Sequence, residues 1–362
     1  MKAVLHYRVL AFLLIAPLLA FSNAPTKDKH EKQKTIKKEF NVSSNAQVEI
    51  DNSYGNLDIV TWNENRVVFE ITIKTSGNNE DKVAERLEEI TVEFNASSNH
   101  VSAKTIFNKN KSSNWWNWGK NNNVNMQVNY IVKMPMSNSV NLSNDYGSIN
   151  LGKLEGKATI SCDYGKITTE ELMAEGNVLN FDYTSSCYFE YINTGSINAD
   201  YSGYTVGKAK NLNISADYTQ SKIEVAEDVK FNCDYGGITI EKANNIMGNG
   251  DYLTTRIGEV YKNLTLESDY GSIKVDRMTS NAGNIKIDSD YTGIKIGIAK
   301  DYSFSFDIDL EYASLNDTSG FEYKTKIIDS SDKKYTGYHG NSGSGNSVRI
   351  SSDYGSVTFF EN

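Results

Sequence analysis

The chain has 362 residues, a formal net charge of −9, 39% apolar and 23% charged side chains. Those proportions exclude a disordered polymer and a bundle of membrane helices, and the acidic balance excludes nucleic-acid binding through bulk electrostatics. Only 3 prolines stand against 26 glycines and 22 tyrosines, which suits many short strands joined at tight turns.

Residues 1–22 have the three parts of a secretory signal peptide. Lys2 and Arg8 supply the positive start, Val9 to Phe21 an apolar core too short for a comfortable span, and Ala20-Phe21-Ser22 the small residues before a cut after Ser22. Cleavage there predicts an exported chain of charge −11 with no transmembrane anchor. Residues 23–40 read as a polar, mobile leader carrying Lys27, Lys29, Lys32, Lys34, Lys37 and Lys38.

The block 41–135 reads as a first winding followed by a cap. Val67, Phe69, Ile71 and Ile73 alternate as in a strand, whereas Val83, Leu87 and Ile90 fall on one face of a helix spanning Asn79 to Ile90. Ile90–Phe94, Val101–Phe107 and Met126–Met134 predict further strands, and the block would cover an otherwise open sheet edge. Trp115, Trp116 and Trp118 sit in an Asn- and Lys-rich stretch, a pattern that fits stacking on sugar rings or a lipid interface, or a local lid over the flank.

From 136 to 362 one tripeptide recurs, Asp-Tyr followed by Gly, Thr or Ser in every copy but that of Tyr252, where Leu253 follows. Its tyrosines are Tyr146, Tyr164, Tyr183, Tyr201, Tyr218, Tyr235, Tyr252, Tyr270 and Tyr291, then Tyr312 after Glu311, and Tyr354; Ser53-Tyr54-Gly55 is an isolated early copy. The steps are 17–21 residues apart from a last one of 42, twice 21. Such a short sustained period signals stacked repeats. Residues before each tyrosine alternate with period two (Ile160, Cys162; Leu179, Phe181; Val229, Phe231, Cys233), so each copy is a strand with one buried face, and a second short strand follows. The predicted architecture is an all-β parallel β-helix or β-solenoid. The tyrosines share parity with the buried set, which predicts a stacked ladder at one corner with rings inward and hydroxyls at the rim, the chain turning at the following Gly. Residues 316–347 lack the motif and read as an extended loop.

Asn52-Ser53-Tyr54-Gly55-Asn56-Leu57-Asp58-Ile59 with Thr61-Trp62-Asn63, Tyr130 to Pro135 leading into Asn144-Asp145-Tyr146-Gly147, and the later Asp-Tyr-Gly copies resemble the putative-adhesin family of secreted bacterial β-solenoids. The resemblance spans about Val48 to Phe360. It implies a right-handed β-helix-like fold exported into a Gram-negative envelope, and it brings no catalytic residues with it.

The chemistry that residues suggest is sparse. Asp145, Asp163, Asp182, Asp200, Asp217, Asp234, Asp251, Asp269, Asp290 and Asp353 would form a row, read either as a calcium row or as carboxylates capping backbone N–H groups at each turn. Cys162 and Cys233 share a ladder position roughly 19 Å apart, beyond a disulfide, while a Cys162–Cys187 bridge stays open; the thiols read as small buried apolar groups. His30, His100 and His339 are too few for a thiol–imidazole or zinc site, so no cofactor and no metal are expected. The sequence therefore predicts a non-enzymatic exported binding or structural surface, periplasmic or extracellular, for a cell-surface polysaccharide or envelope protein. The alternative is a carbohydrate-active enzyme on a β-helix scaffold.

Overall fold

A computed structural model describes residues 29–108 and 124–362. Among them the chain is nearly all strand, with one helix. All 27 strands are linked in one hydrogen-bonded sheet.

The repeats pair in parallel, residue for residue. Ile160 lies beside Leu142 on one side and Leu179 on the other. Leu212 lies beside Val229, and Leu264 beside Ile285. The strands that follow each tyrosine stack in the same way: Ile167 is beside Ile149, and Ile273 beside Ile294. In the middle of the stack, Cys187–Asp200, Gly203–Ser215, Gln220–Asn232 and Gly237–Asn249 each run from one tyrosine motif almost to the next. Each repeat is thus one rung, and in-register parallel pairing places equivalent side chains about 4.8 Å apart. The inward-facing columns form one continuous core from Val42 to Phe359. A buried Leu, Ile or Phe contributes roughly 1.5–3 kcal/mol, and a rung acquires that burial only from its neighbours.

The N-terminal end is closed by antiparallel strands. β1 (His30–Asn41) pairs with β4 (Arg66–Gly77), which pairs with β7 (Val124–Pro135). The first rung consists of β2 (Gln47–Ser53) and β3 (Leu57–Trp62). β7 lies beside β3, while β6 (His100–Phe107) joins β2 to β5 (Ile90–Ala96). The helix α1 (Glu80–Glu89) starts where Asn79 accepts a hydrogen bond from the Lys82 amide, and it buries Val83 and Leu87. The predicted strands and helix of this block are therefore present.

Two readings are corrected. From His30 onward the polar leader is strand β1, whose alternation half-buries Lys32 and Lys34 on the same face as Ile36 and Phe40, which pack on the core, and leaves Lys37 and Lys38 exposed. Residues 316–347 are no plain loop: Phe321–Asp329 and Asp332–His339 form an antiparallel hairpin whose second strand pairs with Phe304–Glu311. The order of rungs departs from the order of the chain here. Ser347–Asp353 lies between Ile285–Asp290 and Phe304–Glu311, and Ser356–Glu361 lies between Gly293–Ile298 and Ser314–Asn316. The last step of 42 thus does not mark two successive windings, because the C-terminal rung returns to fill the place beneath an earlier one.

Candidate functional site

Twelve tyrosines, Tyr54 and the eleven of the repeat, have φ between 49° and 62°. This left-handed conformation is uncommon for any residue with a Cβ and a real outlier for bulky ones. It decides the direction of the ring. Period-two alternation continued through the corner would point each tyrosine inward; the left-handed residue breaks the alternation and turns the ring out. The eleven repeat tyrosines are 49–59% exposed apart from Tyr235 at 48%. The expectation of inward rings is wrong, and so is the assignment of the turn to the glycine.

The rings form a single file. Tyr54 to Tyr146 measures 5.2 Å between centroids with planes 5° apart, Tyr201 to Tyr218 4.7 Å and 3°, and Tyr270 to Tyr291 4.9 Å and 4°. The file follows the rungs rather than the chain, so Tyr291 stacks on Tyr354 at 4.7 Å and Tyr354 on Tyr312 at 4.9 Å. At its N-terminal end the edge of Phe107 meets Tyr54 at 5.8 Å and 89°. The stripe runs roughly 50 Å along one corner at strand spacing. Each stacked pair contributes about 0.5–1.5 kcal/mol, which offsets much of the conformational cost of its left-handed residues.

Backbone bonds lock every corner. The amide of Tyr146 donates to the Asp163 carbonyl, that of Tyr201 to Asp217, that of Tyr291 to Asp353 and that of Tyr354 to Glu311. The residue after each tyrosine faces inward. Where it is Gly147 or Gly355, an added Cβ would approach the neighbouring rung's carbonyl oxygen to 1.8 or 2.3 Å. Where it is Ser or Thr, the hydroxyl bridges rungs: Thr219 Oγ1 accepts from the Ser202 amide at 3.1 Å and donates to a carbonyl, Ala199 or Asp217, at 2.9 Å. Ser202 Oγ likewise accepts from the Thr184 amide at 3.1 Å. This relay keeps one corner geometry with two kinds of residue. Its signal in the sequence was the exchange of Gly for Ser or Thr after Asp-Tyr, with the buried Leu253 after Tyr252 as the departure.

The aspartates flank the stripe in a row. Asp163 Oδ1 accepts from the Asp182 amide at 3.2 Å, Asp217 Oδ1 from Asp234 at 3.0 Å, and Asp269 Oδ1 from Asp290 at 3.0 Å. Six of them, Asp163, Asp182, Asp200, Asp217, Asp234 and Asp269, cap the next rung rather than their own turn. Partial burial and the neighbouring carboxylates raise Asp145 and Asp290 above the ordinary value. The hydroxyls of Tyr164, Tyr201, Tyr235 and Tyr270 are pushed up by desolvation and by neighbouring phenols, so they are protonated donors at neutral pH. Among the described residues no group of three or more His, Cys, Asp or Glu could hold a metal ion.

The other sequence candidates divide. Trp115, Trp116 and Trp118 lie outside the described residues. Cys162, Cys187 and Cys233 are free and buried; burial pushes Cys162 and Cys233 up to about 12. His100 faces Glu49 at 3.2 Å, and buried His339 contacts the Tyr302 carbonyl at 2.7 Å; the two are not brought together with a thiol. Sequence reasoning missed a polar cluster at the N-terminal end, where Thr105 meets the Asn52 side chain at 2.8 Å and the Tyr130 hydroxyl at 2.7 Å, and Asn52 donates to Asn144 at 2.9 Å.

No family model matches the chain, and no curated protein matches it. Among solved structures it is similar to a putative adhesin from Parabacteroides merdae (11% identity, 73% of this chain and 92% of that one, TM-score 0.34). It is also similar to a putative cell adhesion protein from Clostridium sporogenes (11%, 91% and 100%, TM-score 0.19). It is similar, too, to a putative lipid binding protein from Parabacteroides distasonis (8%, 90% and 96%, TM-score 0.31). Likenesses this loose do not superpose one site on another, so the candidate surface stands on the geometry of this chain. Among the described residues no helix is long and apolar enough to cross a membrane.

Proposed function

We propose that the protein is an exported, non-enzymatic component of the cell envelope, a right-handed β-solenoid of the adhesin type whose tyrosine stripe is its binding surface. One observation carries this reading: twelve aromatic residues are held in an unfavourable backbone conformation that keeps their rings outside the core. Glycine or asparagine would make the same corner with less strain. A contiguous exposed aromatic stripe is the kind of surface that marks an interaction site. Because the rings cover one another's faces, the stripe offers edges and phenol hydroxyls to a partner that lies along it. An extended polymer such as a cell-surface polysaccharide fits that shape.

The aspartates favour binding over catalysis. A glycan-cleaving enzyme needs carboxyls that converge on one bond; here they run one per rung and six of them cap a neighbour. The reading is tested by replacing Tyr201, Tyr218 and Tyr235 together with Asn, which keeps the corner and removes the rings. Loss of binding to intact envelope material, with an unchanged circular dichroism spectrum, is expected. Undiminished binding refutes the stripe as the surface. Export is tested by fractionation: signal-cleaved protein outside the cytoplasm is expected, and an uncleaved cytoplasmic chain refutes it.

A further inference from the structure

The stripe is not uniform along its length. In three successive rungs the tyrosine is followed at the second position by a small residue and at the fourth by a cation: Tyr252, Thr254 and Arg256; Tyr270, Ser272 and Lys274; Tyr291, Gly293 and Lys295. All nine are exposed, because the intervening Leu253, Thr255, Ile273, Ile294 and Ile296 fill the core. Parallel register places Arg256 beside Lys274 and Lys274 beside Lys295. The rings beside them stack at 5.1 and 4.9 Å. At Gly293 a Cβ would meet nothing within 4 Å, so the shelf between ring and cation is open.

Like charges directly opposite one another on neighbouring strands are destabilising. A chain of net charge −9 nonetheless places three cations in one column. Only Lys274 has an acidic partner, Asp276 at 2.6 Å; Arg256 and Lys295 form no ion pair among the described residues. Thr239 and Thr358 bound the column on either side. On the other flank of the rings run Asp251, Asp269 and Asp290, which repel an anion and confine it to the basic side.

We propose that this three-rung shelf binds a linear polysaccharide bearing carboxylates, its sugar units lying along the small residues against the edges of Tyr252, Tyr270 and Tyr291. The acid groups face Arg256, Lys274 and Lys295. Arg256 can take a carboxylate with two parallel N–H bonds, and the lysines act as point charges. This deepens the reading of the tyrosine stripe as a binding surface and rests on it.

The experiment uses the full mature chain with polygalacturonate as the acidic probe, a linear neutral β-glucan as its uncharged counterpart, and phosphatidylglycerol vesicles as an anionic surface. Binding to polygalacturonate that weakens with added salt is expected. Arg256→Ser, Lys274→Ser and Lys295→Ser together should weaken it by about tenfold or more, with the denaturation midpoint retained or raised. Asp276→Asn, which frees Lys274, should strengthen it. The proposal is overturned if the triple variant binds within about twofold of the parent, if Asp276→Asn weakens binding, or if only vesicles are bound. Equal binding of both glycans, lost with the tyrosines but not with the cations, overturns the acidic ligand while leaving the stripe as the surface.

Discussion

Tyr218 allows the left-handed corner to be tested against the ordinary behaviour of strands. Its φ is 53°, and its ring stacks on Tyr201 at 4.7 Å and on Tyr235 at 5.0 Å. Tyr218→Ala and Tyr218→Gly both remove the two stacks, worth about 1–3 kcal/mol together, and the same half-buried ring surface. They differ in the backbone. Alanine keeps the left-handed cost of about 1–2 kcal/mol, whereas glycine removes it and instead adds about 0.5–1 kcal/mol of unfolded-state entropy. Glycine should therefore be the more stable variant by about 0.5–1 kcal/mol. At Asn213, an exposed strand residue without positive φ, the order should reverse, with Asn213→Ala above Asn213→Gly. Urea denaturation of the four variants, followed by circular dichroism, reads both differences. If alanine equals or exceeds glycine at 218, the corner is not held in the left-handed region and the account of why the rings face outward fails.

Three further outcomes follow from the same geometry. Thr219→Val leaves the Ser202 amide without its acceptor in a buried place and should cost about 1–3 kcal/mol, with Thr219→Ser restoring most of it; an unchanged urea midpoint would remove the hydroxyl relay. Cys162 and Cys233 are raised by burial from 9.0 to about 12, so folding favours their neutral form. That contribution is whole below pH 9 and is lost as pH rises towards 12, so all three thiols should resist a disulfide reagent in native protein at pH 8 and react promptly once unfolded; fast native reaction would contradict their burial. Asp290 is raised chiefly by desolvation, then by Asp269, Asp353 and Asp288, so its stabilising effect is greatest below its ordinary 3.8 and falls as pH rises. Asp290→Asn should raise the melting temperature at pH 7 and leave it unaltered near pH 3; equal shifts at both would argue against an unfavourable charge at this position.

The residues alone determined the repeat, the strands and the inward columns. Val67–Ile73, the helix capped by Asn79, and the pairs Ile160–Cys162 and Leu179–Phe181 are legible because burial of one face imposes a period on local sequence. The aspartate row was legible too, since equal spacing in sequence becomes equal height in a stack. Side-chain direction at the corner was not. Alternation holds only while the backbone remains extended, and the left-handed residue that ends it has no signature of its own, because Tyr is not a residue that favours positive φ. Nor could spacing reveal where the last rung lies. Tyr354 fits between Tyr291 and Tyr312 because Ser347–Asp353 pairs with Ile285–Asp290 on one side and with Phe304–Glu311 on the other. Strand β1 was hidden for a similar reason: Lys32 and Lys34 share its half-buried face with Ile36 and Phe40, so its alternation is not one of apolar against polar residues, and its order comes from hydrogen bonds to β4. Local periodicity is a consequence of burial, and so it appears in the sequence; direction and order at the corners and ends come from pairing between distant segments, which only the folded chain brings together.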